Sequence, residues 1–188
     1  MEMLEGILNR TSSPLLEEPA PSPEQIENML QAAMRAPDHG RLKPYRFILI
    51  EGQEREALGE LFLSRLLEIN PDADEKTCLK TRNMPLRAPM LLVLVACPRP
   101  HPKVPASEQV HTTACAGQNI LHGAYAQGLG GVWRTGWVAE DKQIQKQLGL
   151  TDEEQMLGYI YLGTPKNPAR KTPEVDSADY ISFWKSDH

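Results

Sequence analysis

The sequence predicts an α+β fold, in which many helices accompany a few strands. Residues 90–96 are apolar without interruption, a pattern typical of a central strand that is covered on both faces. Apolar residues recur at helical spacing in most of the longer segments between the predicted strands. No internal repeat or linker separates these segments, so the chain of 188 residues is expected to form one domain.

The first half of the chain is predicted to be mostly helical. The spacing of the apolar residues favours a short helix at residues 3–8, and four prolines make residues 13–23 an irregular segment. Ser22 is the expected N-cap of a helix at residues 23–34, with Gln25 completing a capping box. Next come a strand at residues 47–50, a helix at 54–69 and a candidate short helix at 74–82.

The second half is predicted to hold the central strand and the longest helix. Small residues are frequent in the helix predicted at residues 107–127, which indicates close packing against another helix or a subunit. Gly128 is its expected C-cap. After it come a short strand or loop at residues 132–135, a helix at 141–148 and a strand at 156–162. Aromatic residues close the chain, and we expect this tail to dock on the body or on a partner.

Composition excludes several classes of protein. The formal net charge of −5 argues against broad binding to nucleic acid or to anionic membranes. No apolar run approaches the roughly 20 residues that span a bilayer, and the N-terminus carries acids where a signal peptide would be positive. The three cysteines are widely spaced and form no Cys-x-x-Cys pair, which indicates a reducing compartment. We therefore expect a cytoplasmic protein.

Most catalytic motifs are missing from the sequence. The glycines at residues 128–131 follow a helix and precede a strand, so a helix-ending turn explains them better than a dinucleotide fingerprint does. The five histidines show no metal-ligand spacing, and His122 is expected to be a packed core residue. No Gly-x-Ser-x-Gly is present and no cysteine lies near an obvious histidine base.

Two basic segments are candidates for a binding site. Arg10-Thr11-Ser12 joins a guanidinium to two hydroxyls at the end of a helix, which suits a phosphate as well as an ordinary surface turn. Residues 34–45 form a basic loop stiffened by two prolines. Taken by itself, this loop is either a solvated connection or part of a binding site.

The ordered set of motifs is more specific than any one of them. Arg-Thr-Ser at 10–12, Met-Arg-Ala-Pro-Asp-His at 34–39, Lys-Pro-Tyr-Arg-Phe at 43–47 and Gly-Leu-Gly-Gly-Val-Trp-Arg-Thr-Gly at 128–136 occur in this order. Together they resemble the nitroreductase family of FMN enzymes, in its small single-domain branch. The resemblance implies a central, mainly antiparallel sheet wrapped by helices, and an intertwined homodimer with two FMN molecules at the subunit interface.

The resemblance also implies roles for individual residues. Arg10, Thr11 and Ser12 would hold the FMN phosphate and ribityl chain. Arg35 and His39 would reach the flavin from the second subunit. Trp133, Arg134 and Thr135 would lie along the isoalloxazine, with backbone N–H groups near Thr135 and Gly136 facing its N5 region. The helix at residues 107–127 would lie in the dimer core.

The chain departs from the family pattern at three places. Thr11 stands where relatives carry a second arginine or a histidine, and Lys43-Pro44-Tyr45 replaces the common Gln-Pro-Trp. Larger relatives close the phosphate site with basic residues near the C-terminus, and Lys166, Arg170 and Lys171 occupy that region.

The implied activity is a ping-pong oxidoreduction. NADH or NADPH would reduce the flavin, and a nitroaromatic or quinone-like acceptor would then take two electrons at the same place. Flavin N5 would carry the chemistry, so no catalytic side chain and no metal are expected. Basic groups around the cofactor would favour the anionic reduced flavin. A flavin dehydrogenase acting on a specific metabolite and a non-catalytic FMN-binding protein are the alternatives.

Overall fold

The structure is a computed structural model that describes residues 2–168 and 172–184. The helices are α1 (Met3–Asn9), α2 (Pro23–Ala33), α3 (Glu54–Ile69), α4 (Glu75–Arg82), α5 (Ala106–Ala126), α6 (Trp137–Glu140) and α7 (Lys142–Gln147). The strands are β1 (Leu16–Glu17), β2 (Tyr45–Glu51), β3 (Met90–Ala96), β4 (Gly130–Arg134) and β5 (Gln155–Pro165). Short 3₁₀ turns lie at His39–Arg41, Pro85–Arg87 and Ser177–Tyr180.

The strands form an antiparallel sheet around β3 and β5. In the described ranges every strand pair is antiparallel, with β3 between β2 and β5, and with β4 on the other side of β5. The two-residue strand β1 pairs with the end of β5, where Leu16 lies opposite Pro165. The predicted α+β class with a mainly antiparallel sheet is therefore confirmed.

Helices cover both faces of this sheet. Alternate residues of β3 point to opposite faces, so Leu91, Val93 and Val95 join one core cluster, while Met90, Leu92 and Leu94 join the other. The first cluster is covered by α3, α6 and α7, and the second by α2 and α5. All seven residues of β3 are buried, as the continuous apolar run predicts for a doubly covered strand.

For most helices and strands, the boundaries predicted from the sequence lie within one or two residues of those in the structure. The capping box forms at α2, where Ser22 Oγ accepts a hydrogen bond from Gln25 N at 3.2 Å and Gln25 Oε1 accepts one from Ser22 N at 2.9 Å. The prediction that residues 13–23 lack regular structure was wrong, because β1 lies there. The short helix α6 was not predicted.

The small residues of α5 serve packing within the chain. A Cβ atom on Gly117 would lie 2.5 Å from Leu94 Cδ2 and 3.0 Å from the Trp133 ring, and one on Gly123 would lie 3.3 Å from Met29 of α2. The close packing expected for this helix is therefore confirmed, with β3, β4 and α2 as its partners. The other face of α5 remains exposed at His111, Cys115 and Gln118.

The aromatic side chains of the tail are exposed. Tyr180, Phe183 and Trp184 are each at least 80% exposed, so the tail does not dock on the described body of its own chain. Docking on a partner stays a prediction. Arg170 and Lys171 lie outside the described residues. Among the residues that are described, no helix has the length and apolar character needed to cross a membrane.

Candidate functional site

The Arg10–Ser12 segment lies beside the start of β4. Ser13 N donates a hydrogen bond to Gly131 O at 3.0 Å, which joins the end of α1 to this strand. Gly130 allows the approach, since a Cβ atom there would lie 2.6 Å from Leu16 Cδ2 and 3.0 Å from Ser13 Cβ. The C-cap of α5 is Gln127, one residue before the predicted Gly128, and Gly128 then turns the chain with a φ of 78°. Gly128 and Gly130 therefore have different roles.

A small pocket of mixed character adjoins this segment. It has a volume of about 60 Å³, and its lining combines Thr11, Ser12, Ser13 and Asn167 with Pro14, Leu15 and Pro168. The C-terminal segment reaches it because Lys166 N donates a hydrogen bond to Leu15 O at 3.1 Å. The C-terminal region is thus adjacent to the Arg-Thr-Ser segment, although the ammonium of Lys166 lies 3.7 Å from Glu17 Oε2 instead of facing the pocket hydroxyls.

Two guanidinium groups at the site have unpaired buried nitrogens. Arg10 Nε and Arg134 Nε are buried and have no hydrogen-bond partner among the described residues. Arg134 also lies over the ring of Tyr161, with 5.6 Å between its Cζ atom and the ring centroid. Leaving a charged donor buried and unpaired is costly, so both groups suit an anionic or carbonyl-bearing ligand.

A groove next to Arg134 connects these features. It has a volume of about 480 Å³, and its lining comprises Pro14, Leu15, Leu16, Glu17, Leu86, Arg87, Arg134 and Lys166. Arg87 and Arg134 bring positive charge to this lining, Lys166 is paired with Glu17, and the remaining residues are apolar. A planar aromatic molecule that carries an anionic group has complementary chemistry.

Trp133 is anchored in the core through its side chain. Its indole Nε1 donates a hydrogen bond to Leu157 O at 2.9 Å, and its ring lies against Gly117 of α5 and Gly158 of β5. The backbone of residues 133–135 is therefore held rigidly at the edge of the groove, while Thr135 is exposed. Gly136 has a φ of 98° and a ψ of −175°, a conformation that essentially only glycine adopts, and turns the chain into α6.

Arg35 and His39 belong to the loop after α2, and His39 lies against the first turn of α5. His39 Nδ1 is 2.8 Å from Glu108 Oε2 in the first turn of this helix, and both side chains are about half exposed. Thr112 Oγ1 donates a hydrogen bond to Pro37 O at 2.8 Å, which fixes the loop to the same end. Neither Arg35 nor His39 of the same chain lines the small pocket beside Thr11 and Ser12.

His122 marks the Arg10 end of α5. Burial and then the positive charge of Arg10 lower the pKa of His122 below its usual value of 6.5. Its Nε2 atom is 2.7 Å from Gln118 Nε2, and it lines a groove of about 310 Å³ between α1 and α5. The expectation of a packed core histidine was therefore wrong, because His122 is only partly buried and faces α1.

Sequence reasoning missed several residues of the site. Ser13 and Asn167 line the small pocket, and Arg87 lines the larger groove. The run of hydroxyls that continues through Ser13 was the available signal for that residue. The sequence around Asn167 and Arg87 does not indicate a binding site, since only tertiary packing brings these residues to the pocket and the groove. In the described parts of the chain, no three His, Cys, Asp or Glu side chains converge in a way that could hold a metal ion.

Known structures define the class of fold. A nitroreductase-like family protein from Bacillus cereus aligns with a TM-score of 0.83 at 20% identity, over 99% of this chain and 97% of that chain. The structure of "FMN and NADPH-dependent nitroreductase NfnB" from sphigopyxis sp. strain HMH aligns with a TM-score of 0.77 at 15% identity, over 99% and 100% of the two chains. The antiparallel sheet with its helical layers is therefore the nitroreductase-like α+β fold.

Sequence comparison then identifies the family. The family model described as "Nitroreductase family" matches residues 9–164. "Putative NAD(P)H nitroreductase YdjA" of Escherichia coli (strain K12) is 38% identical over 188 residues, covering 98% of this chain and all of that protein. The chain belongs to the nitroreductase family, a family of oxidoreductases.

Proposed function

We propose that this protein is an FMN-dependent oxidoreductase that takes electrons from NADH or NADPH and passes them to nitroaromatic or quinone-like acceptors in a ping-pong cycle. One domain of 188 residues would bind the cofactor. The observation that carries the proposal is the pair of buried guanidinium nitrogens of Arg10 and Arg134, which have no hydrogen-bond partner among residues 2–168 and 172–184. Hydroxyl groups and an open groove lie beside them. Family membership supports the same function, and the relative YdjA is named for NAD(P)H.

The residues of the site fit FMN in three parts. Arg10 with the hydroxyls of Thr11 and Ser12 would hold the phosphate through charge-assisted hydrogen bonds. The rigid backbone of residues 133–135 would support the isoalloxazine, and the guanidinium of Arg134 would favour negative charge on the ring. When bound, FMN supplies the chemistry by accepting hydride from a nicotinamide and returning two electrons to an acceptor.

A second subunit would complete the site. His39 contacts Glu108 near the N-terminal end of α5. Near the C-terminal end, the positive charge of Arg10 helps to lower the pKa of His122. The helix rises 14 residue steps from Glu108 to His122, about 21 Å at 1.5 Å per step, so one chain holds these groups far apart. In a twofold dimer, Arg35 and His39 of one chain would reach the flavin that Arg10 of the partner subunit holds.

Exposed surface supports this assembly. Helix α1 carries four exposed apolar side chains, with Met3 81% and Leu4 67% exposed. It lies beside the exposed face of α5, and the two helices enclose the groove next to His122. Exposed apolar side chains clustered on one helix are typical of a subunit interface. A stable monomer at micromolar concentration would contradict the two-subunit site.

The simplest test uses the purified protein. We expect a yellow protein that releases FMN on denaturation and whose flavin absorbance is bleached anaerobically by NADH or NADPH. Nitroaromatic or quinone addition should then restore the absorbance, since the two half-reactions are separate. Bound FMN that neither nicotinamide bleaches would contradict the reductase and leave an FMN-binding protein without turnover.

The phosphate site is tested by Arg10→Ala. Loss of charge-assisted hydrogen bonds should weaken FMN binding about 10- to 100-fold, as measured by quenching of flavin fluorescence. Arg82→Ala is the matched control, because Arg82 forms a surface ion pair with Glu60 on the α3–α4 side of the protein. Unchanged FMN affinity in Arg10→Ala would contradict the assignment of Arg10 to the phosphate site.

A further inference from the structure

The basic loop after α2 has an unusual backbone. Gly40, Arg41 and Lys43 have φ values of 77°, 52° and 47°, in the left-handed region. Glycine adopts this conformation freely, but a residue with a Cβ atom does so at a cost. Arg41 and Lys43 are the non-glycine residues with positive φ among those that the structure describes. The chain thus keeps two long cationic side chains where glycine or asparagine would fit more easily.

Asp38 holds this conformation in place. Its carboxylate accepts hydrogen bonds from Lys43 N at 2.7 Å and from Leu42 N at 3.1 Å. Leu42 is right-handed between two left-handed residues, an alternation that makes successive N–H groups converge on one anion. Arg41 N adds a hydrogen bond to Asp38 O at 3.1 Å. The loop is therefore built around one carboxylate.

The same loop carries a cluster of cations. Arg99 joins it, since its Nη2 atom donates a hydrogen bond to Leu42 O at 3.0 Å. Arg41, Lys43 and Arg99 are exposed, and among the described residues none of them forms an ion pair with a carboxylate. The carboxylates of Asp38 and Glu108 lie in or against the same loop. The three cations outnumber these two carboxylates, so a protein with a formal net charge of −5 has a local excess of positive charge here that attracts anions.

We propose that Arg41, Lys43 and Arg99 bind an anionic group on the substrate that approaches the flavin, and that Asp38 is the positioning residue for this cationic rim. The inference rests on the proposed function, in which Arg35 and His39 of the same loop reach the partner's flavin. Two substrates could carry the anion. One is the 2′-phosphate of NADPH, and the other is a carboxylate on the electron acceptor.

Variants at the strained positions separate binding from backbone effects. Lys43→Gly and Arg41→Gly each remove a cation and also relieve the left-handed strain, so thermal stability should stay equal or rise. Lys76→Gln is the charge control, since Lys76 is an exposed residue of α4 away from the loop. The probes are NADP⁺, NAD⁺ and the acceptors para-nitrobenzoate and nitrobenzene, each titrated calorimetrically into the flavin-loaded protein. The two acceptors are also compared in steady-state assays.

The probe whose binding is weakened in the variants identifies the anionic group. If the rim binds the 2′-phosphate, Lys43→Gly weakens NADP⁺ binding about three- to tenfold and leaves NAD⁺ binding nearly unchanged. If the rim binds the acceptor, the same variant raises the Michaelis constant for para-nitrobenzoate by a similar factor and spares nitrobenzene. Unchanged values for all four probes in both glycine variants would overturn the proposal.

Asp38→Ala tests the positioning role. Removing a carboxylate makes the loop more positive, so simple electrostatics would tighten anion binding. Loss of loop geometry would instead weaken binding of the same anionic probe, which is the result we expect. Tighter binding would refute the positioning role. If the loaded protein is never reduced by a nicotinamide, the proposed function fails, whereas calorimetry of NADP⁺ and para-nitrobenzoate still tests the rim.

Discussion

The ion pair between Arg46 and Glu154 allows a quantitative prediction about acid stability. Arg46 Nε and Nη2 donate to the two carboxylate oxygens of Glu154 at 2.6 and 2.8 Å, and Thr151 N adds a hydrogen bond at 3.0 Å. These bonds join β2, which follows the basic loop, to the turn before β5. The hydrogen bonds from Arg46 lower the pKa of Glu154 from 4.5 to about 2.

The magnitude follows from this pKa. A fall from 4.5 to about 2 corresponds to about 3.4 kcal/mol, at about 1.36 kcal/mol for each pH unit. Because the Arg46 side chain is 37% exposed, solvent screening reduces this to about 1–3 kcal/mol. A carboxylate whose folded pKa is depressed stabilises the protein above pH 4.5, and the contribution is lost as the pH falls toward 2.

The assay compares Glu154→Gln with the wild type by urea unfolding at several pH values, at one protein concentration and without added flavin. At pH 7 the variant should be less stable by about 1–3 kcal/mol, and by pH 3 more than half of the difference should disappear. Glu153→Gln is the control, because Glu153 is an exposed neighbour. A difference of equal size at pH 7 and pH 3 would refute the reasoning.

Three further predictions concern side chains around the site. Gly117→Ala should destabilise the protein by about 1–2 kcal/mol in urea unfolding, because overpacking against Trp133 exceeds the gain in helix propensity; equal or higher stability would contradict the packing. Arg10→Ala should raise the pKa of His122, measured by NMR titration, because a nearby positive charge is removed. An unchanged pKa would show that the charge of Arg10 does not affect His122. Cys97 should resist thiol reagents at pH 8 in the folded protein, because burial raises its pKa to about 11; rapid labelling would contradict this.

The sequence predicted those parts of the fold that depend on local signals. The capping box at Ser22 and the apolar run of β3 fixed their elements almost to the residue, because caps and continuous burial act within a few residues. The strand β1 was missed, since two residues between prolines become a strand only by pairing with β5. Helix α6 was missed because four residues carry too little pattern.

The candidate site was less predictable from local reasoning. Arg10 and Arg134 lie far apart in the sequence, and only the resemblance to a family joined them before the fold was known. The anchoring of the Trp133 indole on Leu157 depends on tertiary packing and carried no sequence signal. The left-handed Arg41 and Lys43 contradict local preference, since such positions favour glycine or asparagine. Departures of this kind are expected where function opposes stability.

The separation of His39 and Arg10 along α5 has a consequence for mixed assemblies. In the proposed dimer each flavin takes Arg10 from one chain and His39 from the other. A dimer that pairs an Arg10→Ala chain with a His39→Ala chain therefore has one site with both defects and one site with neither. When the two inactive homodimers are mixed, dissociated and reassociated, each mixed dimer would regain one complete site out of two. Recovery of activity would show that each site takes residues from both subunits and that a single chain cannot form a complete site.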